Sequence, residues 1–124
     1  MVASQSTINA IRAAAADDWV YQQLKQQIIV GWPDSKDNVQ PELRPYFTFA
    51  DELAVSGDFI FKGHRIVIPF GYRDAILERL HSTHIGINSC IRRARETCFY
   101  PGMTADIKRM ISACPVCVRQ QTAS

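Results

Sequence analysis

The sequence predicts an α+β protein in which N-terminal helices and a small three-stranded antiparallel sheet precede a three-helix unit held together by zinc. Three observations lead to this prediction. Apolar residues recur at three- and four-residue steps towards both ends of the chain, which is the period of an amphipathic helix. The middle carries short β-branched and aromatic runs between glycines, which is typical of a strand meander. Two histidines and two cysteines occur as closely spaced pairs: His81, His84, Cys114 and Cys117.

Two helices are predicted before residue 31. The first runs from Thr7 to about Ala15 and carries apolar residues on one face. Asp17 and Asp18 form the acidic start of the second helix, because carboxylates are favoured at the positive end of the helix dipole. Gly31 ends that helix, since glycine suits a helix stop. A short helical turn is expected over residues 41–46.

Three strands are predicted between residues 53 and 68. Their runs are Leu-Ala-Val at 53–55, Phe-Ile-Phe at 59–61 and Arg-Ile-Val-Ile at 65–68, and glycine-containing turns separate them. So small a sheet needs an apolar cover. We expect the N-terminal helices, which carry Trp19 and Leu24, to supply it.

Three further helical segments follow residue 71. The first covers residues 73–81, and the third begins with Thr104 as its N-cap. The second begins at Asn88 or just before it and places small and apolar residues at helical steps: Cys90, Ile91, Ala94 and Cys98. A free cysteine among apolar neighbours behaves as a small hydrophobe, so we expect Cys90 and Cys98 to be core residues.

The histidine and cysteine pairs contain the residue types that bind Zn²⁺. Imidazole nitrogen and thiolate sulfur are preferred ligands of tetrahedral zinc, and the two pairs supply four ligands. At a helix end, the three-residue step from His81 to His84 places both rings on one side. A site closed by four protein ligands leaves no position for substrate, so we expect one structural zinc. Residues 70–124 are also too few to form a comfortably stable core without a metal cross-link.

Other chemistry stays open for these residues taken separately. Cys114 and Cys117 are compatible with a disulfide or a redox dithiol, and the histidines with surface or capping imidazoles. A disulfide is disfavoured because no signal-peptide pattern indicates secretion, and a redox site because no thioredoxin-like βαβ pattern surrounds the cysteines. No apolar run reaches the roughly 18 residues of a membrane span. We therefore expect an intracellular protein with no membrane partner.

Charge divides the chain into two parts. The net charge is +2, but residues 1–69 carry six Lys and Arg against eight Asp and Glu, whereas residues 70–124 carry eight against four. We expect this boundary to separate two domains, 1–69 and 70–124. The basic part favours an anionic partner such as nucleic acid, although so mild a bias is also typical of a solvated surface.

Several short strings together resemble one family. They are HSTHIG at 81–86, RRAR at 92–95, YPGM at 100–103, DIK at 106–108 and CPVC at 114–117. Upstream strings fit the same family: GWP at 31–33, GD at 57–58 and RIVIP at 65–69. The chain resembles the N-terminal region of Ty3/Gypsy-type retrotransposon integrases, or of a host protein derived from one. That region is an extension domain followed by an HHCC zinc-binding domain.

The resemblance implies that His81, His84, Cys114 and Cys117 are the zinc ligands. Retroviral domains usually space the two histidines one residue further apart, which leaves open which ring nitrogens bind here. It also implies a module without catalytic activity. An integrase cuts and joins DNA with three carboxylates on an RNase H-like core, and no such set follows Cys117.

The function implied by the resemblance is binding of duplex DNA at element ends and multimer assembly with the rest of the integrase, in the nucleus. Three short helices around a zinc resemble a helix-turn-helix. The basic candidates for DNA contact are Arg92, Arg93, Arg95, Lys108, Arg109 and Arg119. Homo-oligomerisation stays open.

The alternative function is a protein-interaction module in a domesticated, integrase-derived host protein. Exposed aromatic side chains would then form the contact, and the candidates are Tyr46, Phe47, Phe99 and Tyr100.

Overall fold

The computed structural model describes residues 5–81 and 87–116. In those ranges the chain forms six α-helices and a four-stranded sheet, which confirms the predicted α+β class. The helices are α1 (Gln5–Ala16), α2 (Trp19–Val30), α3 (Arg44–Phe47), α4 (Arg73–His81), α5 (Ile87–Thr97) and α6 (Met103–Ser112). The strands are β1 (Leu53–Ser56), β2 (Phe59–Lys62), β3 (Arg65–Val67) and β4 (Cys98–Phe99).

The second helix has the boundaries that its capping residues predict, whereas α1 includes Gln5 and Ser6, which precede the predicted start at Thr7. Asp18 is the N-cap of α2, and its carboxylate accepts a hydrogen bond of 3.0 Å from the backbone N–H of Tyr21. Gly31 ends α2 with a φ of 105°, a conformation that glycine adopts without a Cβ penalty. The turn expected over residues 41–46 is formed by a 3₁₀ turn followed by α3.

The α2 residues that face the sheet differ in part from the prediction. Leu24 is fully buried as expected, but Trp19 is 56% exposed. The buried face of α2 is set by Tyr21 and Leu24, which are three residues apart. Trp19 precedes Tyr21 by two residues and therefore points to the other side of the helix, since neighbours on one face are three or four residues apart.

The three predicted strands pair as an antiparallel meander, and a fourth strand extends it. β4 lies parallel to β3, with Ile66 opposite Cys98, and the backbone N–H of Ile68 donates to the carbonyl of Phe99 at 2.8 Å. The prediction that Cys98 lies on the same helix as Cys90 is therefore wrong, because α5 ends at Thr97. The free edge of β3 binds this segment, and Cys98 is buried in the resulting strand.

The start of α6 also differs from the prediction. Gly102, not Thr104, is the N-cap, and it has a φ of 84° with no side-chain capping bond. The preceding chain closes a tight turn in which the N–H of Met103 donates to the carbonyl of Tyr100 at 3.1 Å. The helix therefore begins two residues earlier than predicted, after a residue in the left-handed conformation that glycine readily adopts.

The buried residues form two clusters. One lies between the N-terminal helices and the sheet, around Leu24, Leu43 and Ile60. The other lies under α4, α5 and α6, and it includes Ile11 of α1 and Ile68, which follows β3. The part of the chain before residue 70 therefore contributes to both cores.

Candidate metal centre and basic surface

Two of the four predicted zinc ligands lie at the ends of helices that pack against each other. His81 is the last residue of α4, and Cys114 follows α6 closely. Leu80 of α4 and Ile111 of α6 are buried in the same cluster, and the half-buried Cys114 packs against it. The backbone N–H of Cys114 also donates to the carbonyl of Ile111 at 3.0 Å. One core thus positions both helix ends.

Cys90 secures the end of α4 from the neighbouring helix. Its thiol donates to the carbonyl of Leu80, with 3.2 Å between sulfur and oxygen. Burial raises the pKa of the Cys90 thiol, and burial likewise raises the pKa of Cys98. Both side chains are fully or almost fully buried, which confirms the prediction that they are core residues. A protonated Cys90 thiol can donate to the carbonyl of Leu80, the residue before His81, whereas a thiolate has no proton to donate.

His84, Cys117 and Arg119 lie outside the described residues. Within residues 5–81 and 87–116, no group of three or more His, Cys, Asp or Glu side chains is arranged to hold a metal ion. The two described members of the predicted set are an imidazole and a thiol, and both are zinc donors. The assignment of these residues as zinc ligands therefore stays a prediction.

The basic residues of α5 occupy two different surfaces. Arg92 and Arg95 are exposed and line a cleft of about 570 Å³ together with His64 of the β2–β3 turn. Arg93 lines another cleft, beside Glu78 and Arg79. The structure therefore brings together Arg92 and Arg95 and separates Arg93 from them.

The β2–β3 hairpin adds cations that the sequence analysis did not select. Lys62 and Arg65 line a groove of about 690 Å³ with Arg95 and Phe99. The Lys62 ammonium lies 4.9 Å from the centre of the Phe99 ring, and the Arg65 guanidinium lies 5.5 Å from it. We call Lys62, Arg65, Arg92 and Arg95 the basic surface. The signal that could have found it is the run of Lys62, His64 and Arg65 around the Gly63 turn.

The candidates on α6 are exposed but do not share this surface. Neither Lys108 nor Arg109 lines the two clefts that contain Arg95. Arg109 forms an ion pair of 2.9 Å with Asp106, whose other oxygen accepts a hydrogen bond from the Tyr100 hydroxyl.

The aromatic residues predicted to be exposed are largely covered. Tyr46 and Tyr100 are buried, and Phe47 and Phe99 are half-buried. Tyr100 lies under the guanidinium of Arg73, which is 4.6 Å from its ring centre. The large aromatic side chains that are exposed are Trp19 and Phe70.

Imidazole and thiolate are both ligands that structural zinc sites use. Residues 68–123 match the integrase zinc-binding domain family. The matched range contains all four predicted ligands.

One curated relative is a Caenorhabditis elegans protein called Uncharacterized protein K02A2.6. It is 26% identical over 72 residues, which are 58% of this chain and 6% of that protein. No solved structure matches the chain. None of the helices in the described ranges is long and apolar enough to span a membrane.

Proposed function

We propose that this chain is the non-catalytic N-terminal module of a Ty3/Gypsy-type retrotransposon integrase, and that it contributes DNA-end binding and multimer assembly. The observation that carries the proposal is the family match over residues 68–123, a range that contains Arg92 and Arg95 of the basic surface. The rest of the integrase would supply the catalytic carboxylates, and nuclear DNA would be the target.

One structural zinc is the cofactor in this proposal, with His81, His84, Cys114 and Cys117 as ligands. When bound, the metal supplies a tetrahedral cross-link between two chain segments. The packing of α4 and α6 in one buried cluster supports this proposal, because His81 ends α4 and Cys114 follows α6.

Zinc content tests the ligand set. We expect His81→Asn and Cys114→Ser each to reduce bound zinc from one ion per chain to near zero and to lower the melting temperature, because binding free energy of a structural zinc contributes to folding. Elemental analysis and circular dichroism measure the two effects. His64→Asn is the matched control, since His64 is an exposed turn residue. Full zinc content in His81→Asn would remove that residue from the set.

DNA binding is proposed to use the basic surface. Arg92 and Arg95 are its exposed cations, whereas Lys62 is largely covered and lies 3.5 Å from Glu52. Exposed Lys and Arg side chains chiefly contact phosphates, so the affinity is salt-dependent and weakly sequence-selective. Arg95 is central, because it lines both the cleft with Arg92 and the groove with Lys62 and Arg65. Lys108 and Arg109 remain secondary candidates on α6.

A salt series of duplex binding, followed by fluorescence anisotropy, tests this surface. We expect Arg95→Glu to weaken binding at low salt and to reduce the slope of log affinity against log salt concentration by about 1, the value for one lost phosphate contact. Lys36→Glu changes charge equally in a loop distant in sequence from the basic surface, and we expect it to leave the slope unchanged. Equal effects of the two variants would contradict a localised interface.

The second candidate function is a protein-interaction module of a domesticated host protein. The exposure of Trp19 and Phe70 favours it, because large exposed aromatics commonly mark interaction sites. Sedimentation at several salt concentrations separates the candidates. Assembly on DNA that weakens as salt rises supports the integrase module, and a salt-indifferent protein complex without DNA affinity supports the alternative.

A further inference from the structure

We propose that a groove beside the α1–α2 junction binds a short segment of a partner protein, one with an apolar or aromatic anchor flanked by Lys or Arg. The groove has a volume of about 890 Å³, and its lining includes Asp17, Trp19, Glu42, Tyr46, Phe70 and Arg73. We call it the acidic groove. The inference concerns protein binding and is independent of zinc and DNA.

The walls of the acidic groove are held in place before any partner binds. One oxygen of Asp18 accepts from the backbone of Tyr21 at 3.0 Å, and its other oxygen accepts from the backbone N–H of Phe70 at 2.9 Å. One carboxylate therefore joins the start of α2 to the segment before α4. The Arg73 guanidinium lies 5.3 Å from the centre of the Phe70 ring. A wall fixed in this way loses little conformational entropy on binding.

The apolar part of the acidic groove is available for contact. Trp19 is 56% exposed and Phe70 is 74% exposed, although both are large aromatic side chains. Aromatic residues of this size supply much of the binding energy where a partner covers them. An apolar or aromatic anchor between these two rings would remove both from water.

The charge of the acidic groove selects the flanking residues of the partner. Three carboxylates, Asp17, Asp18 and Glu42, line it with one guanidinium. Asp17 and Glu42 are exposed, and neither belongs to an ion pair in the described part of the chain. Carboxylates that are free in this way attract Lys and Arg and repel phosphate.

The neighbouring groove supports a peptide over a nucleic acid. Pro45 and Pro101 line both the acidic groove and the groove that contains Lys62, Arg65 and Arg95. Two adjoining grooves thus carry opposite charge. Nucleic acid would bind the groove that contains Lys62, Arg65 and Arg95. A cationic peptide segment would then be the occupant of the acidic groove.

Two blocked tetrapeptides test the inference against the full 124-residue chain: acetyl-Lys-Phe-Leu-Lys-amide and its Glu-flanked counterpart. We expect the Lys peptide to shift the indole ¹H–¹⁵N signal of Trp19 saturably while that of Trp32 stays unchanged. The Glu peptide should not saturate. The double variant Asp17→Asn with Glu42→Gln should lower the affinity for the Lys peptide by about fivefold, the effect of losing two exposed charge pairs. Phe70→Ser should abolish saturation.

Asp34→Asn with Asp51→Asn is the matched control, because both residues are exposed carboxylates that do not line the groove. We expect it to leave the affinity unchanged. The inference is overturned by equal binding of the two peptides, or by equal weakening in the two double variants. It is also overturned if duplex DNA saturates the Trp19 signal, or if that signal shifts with protein concentration alone, which would indicate a second copy of this chain as the occupant.

Discussion

Tyr21 connects the helical layer to the sheet through a single buried hydroxyl. The hydroxyl donates to the carbonyl of Val67 at 2.9 Å and accepts from the backbone N–H of Ile60 at 2.9 Å. The β2–β3 register pairs Phe61 with Ile66, so the hydroxyl lies where the next pair of the ladder would form. Burial raises the pKa of Tyr21 well above its ordinary value, so the group stays protonated and can fill both roles.

Removal of this hydroxyl should destabilise the chain. We expect Tyr21→Phe to lower the free energy of unfolding by about 2 kcal/mol, because a buried N–H and a buried carbonyl lose their partner together. Urea denaturation measures the loss. Tyr72→Phe removes a hydroxyl from a half-buried tyrosine and should change stability by less than about 0.5 kcal/mol. Equal losses would show that the bridge contributes nothing specific.

At the scale of elements, segments marked by a period or by turn residues were predictable, and the two-residue β4 was not. The bounds of α4 follow from its sequence, since helical period and turn residues agree there. β4 has two residues, too few to show any period, and it forms only because the edge of β3 is free. The exposure of Trp19 also depends on neighbouring elements and not on local sequence. The repeat of apolar residues indicates a helix but does not indicate which face its neighbours cover.

The turn before α6 offers a test of backbone conformation alone. Gly102 has a φ of +84°, and a Cβ there would meet no atom within 4 Å. We expect Gly102→Ala to lower the free energy of unfolding by about 1 kcal/mol, because an L-residue is strained in the left-handed region. The lower entropy of the unfolded alanine variant offsets part of that strain. Thermal or urea unfolding measures this.

Gly71→Ala is the control for that change. Gly71 does not have a positive φ, and its Cβ would meet the Cβ of Ala14 at 3.7 Å, an ordinary contact. We expect Gly71→Ala to change the free energy of unfolding by less than about 0.5 kcal/mol. If Gly102→Ala were as well tolerated as Gly71→Ala, the turn would not require a left-handed residue.

At the scale of the molecule, the candidate sites differ in how far sequence could define them. His81 and Cys114 are candidate ligands that residue type and spacing alone select, because zinc chemistry restricts its ligands to a few residue types. Lys62 and Arg65 were not found, because they belong to the acidic part of the chain and join Arg95 only through the pairing of β3 with β4. The run of cations around the Gly63 turn is a local signal, but it does not show that Arg95 lies beside it.

The same pairing predicts that the two parts of the chain unfold together. Ile11 of α1 is buried in one cluster with residues of α4, α5 and α6, and Ile68 is bonded to Phe99. Loss of the proposed zinc would loosen that cluster and so remove apolar contacts from α1. Both tryptophans lie before residue 70, so their fluorescence reports on that part alone.

We therefore expect a zinc chelator to lower the midpoint of urea unfolding by the same amount in tryptophan fluorescence and in helical circular dichroism. Coincident transitions seen by different probes indicate one cooperative unit. Ile11→Ala should separate the two curves, because it removes the α1 side chain that reaches the C-terminal cluster. Ile8→Ala is the matched control, since Ile8 is only half-buried on the same helix. A chelator that shifted the dichroism curve alone would show that residues 1–69 fold independently of the metal.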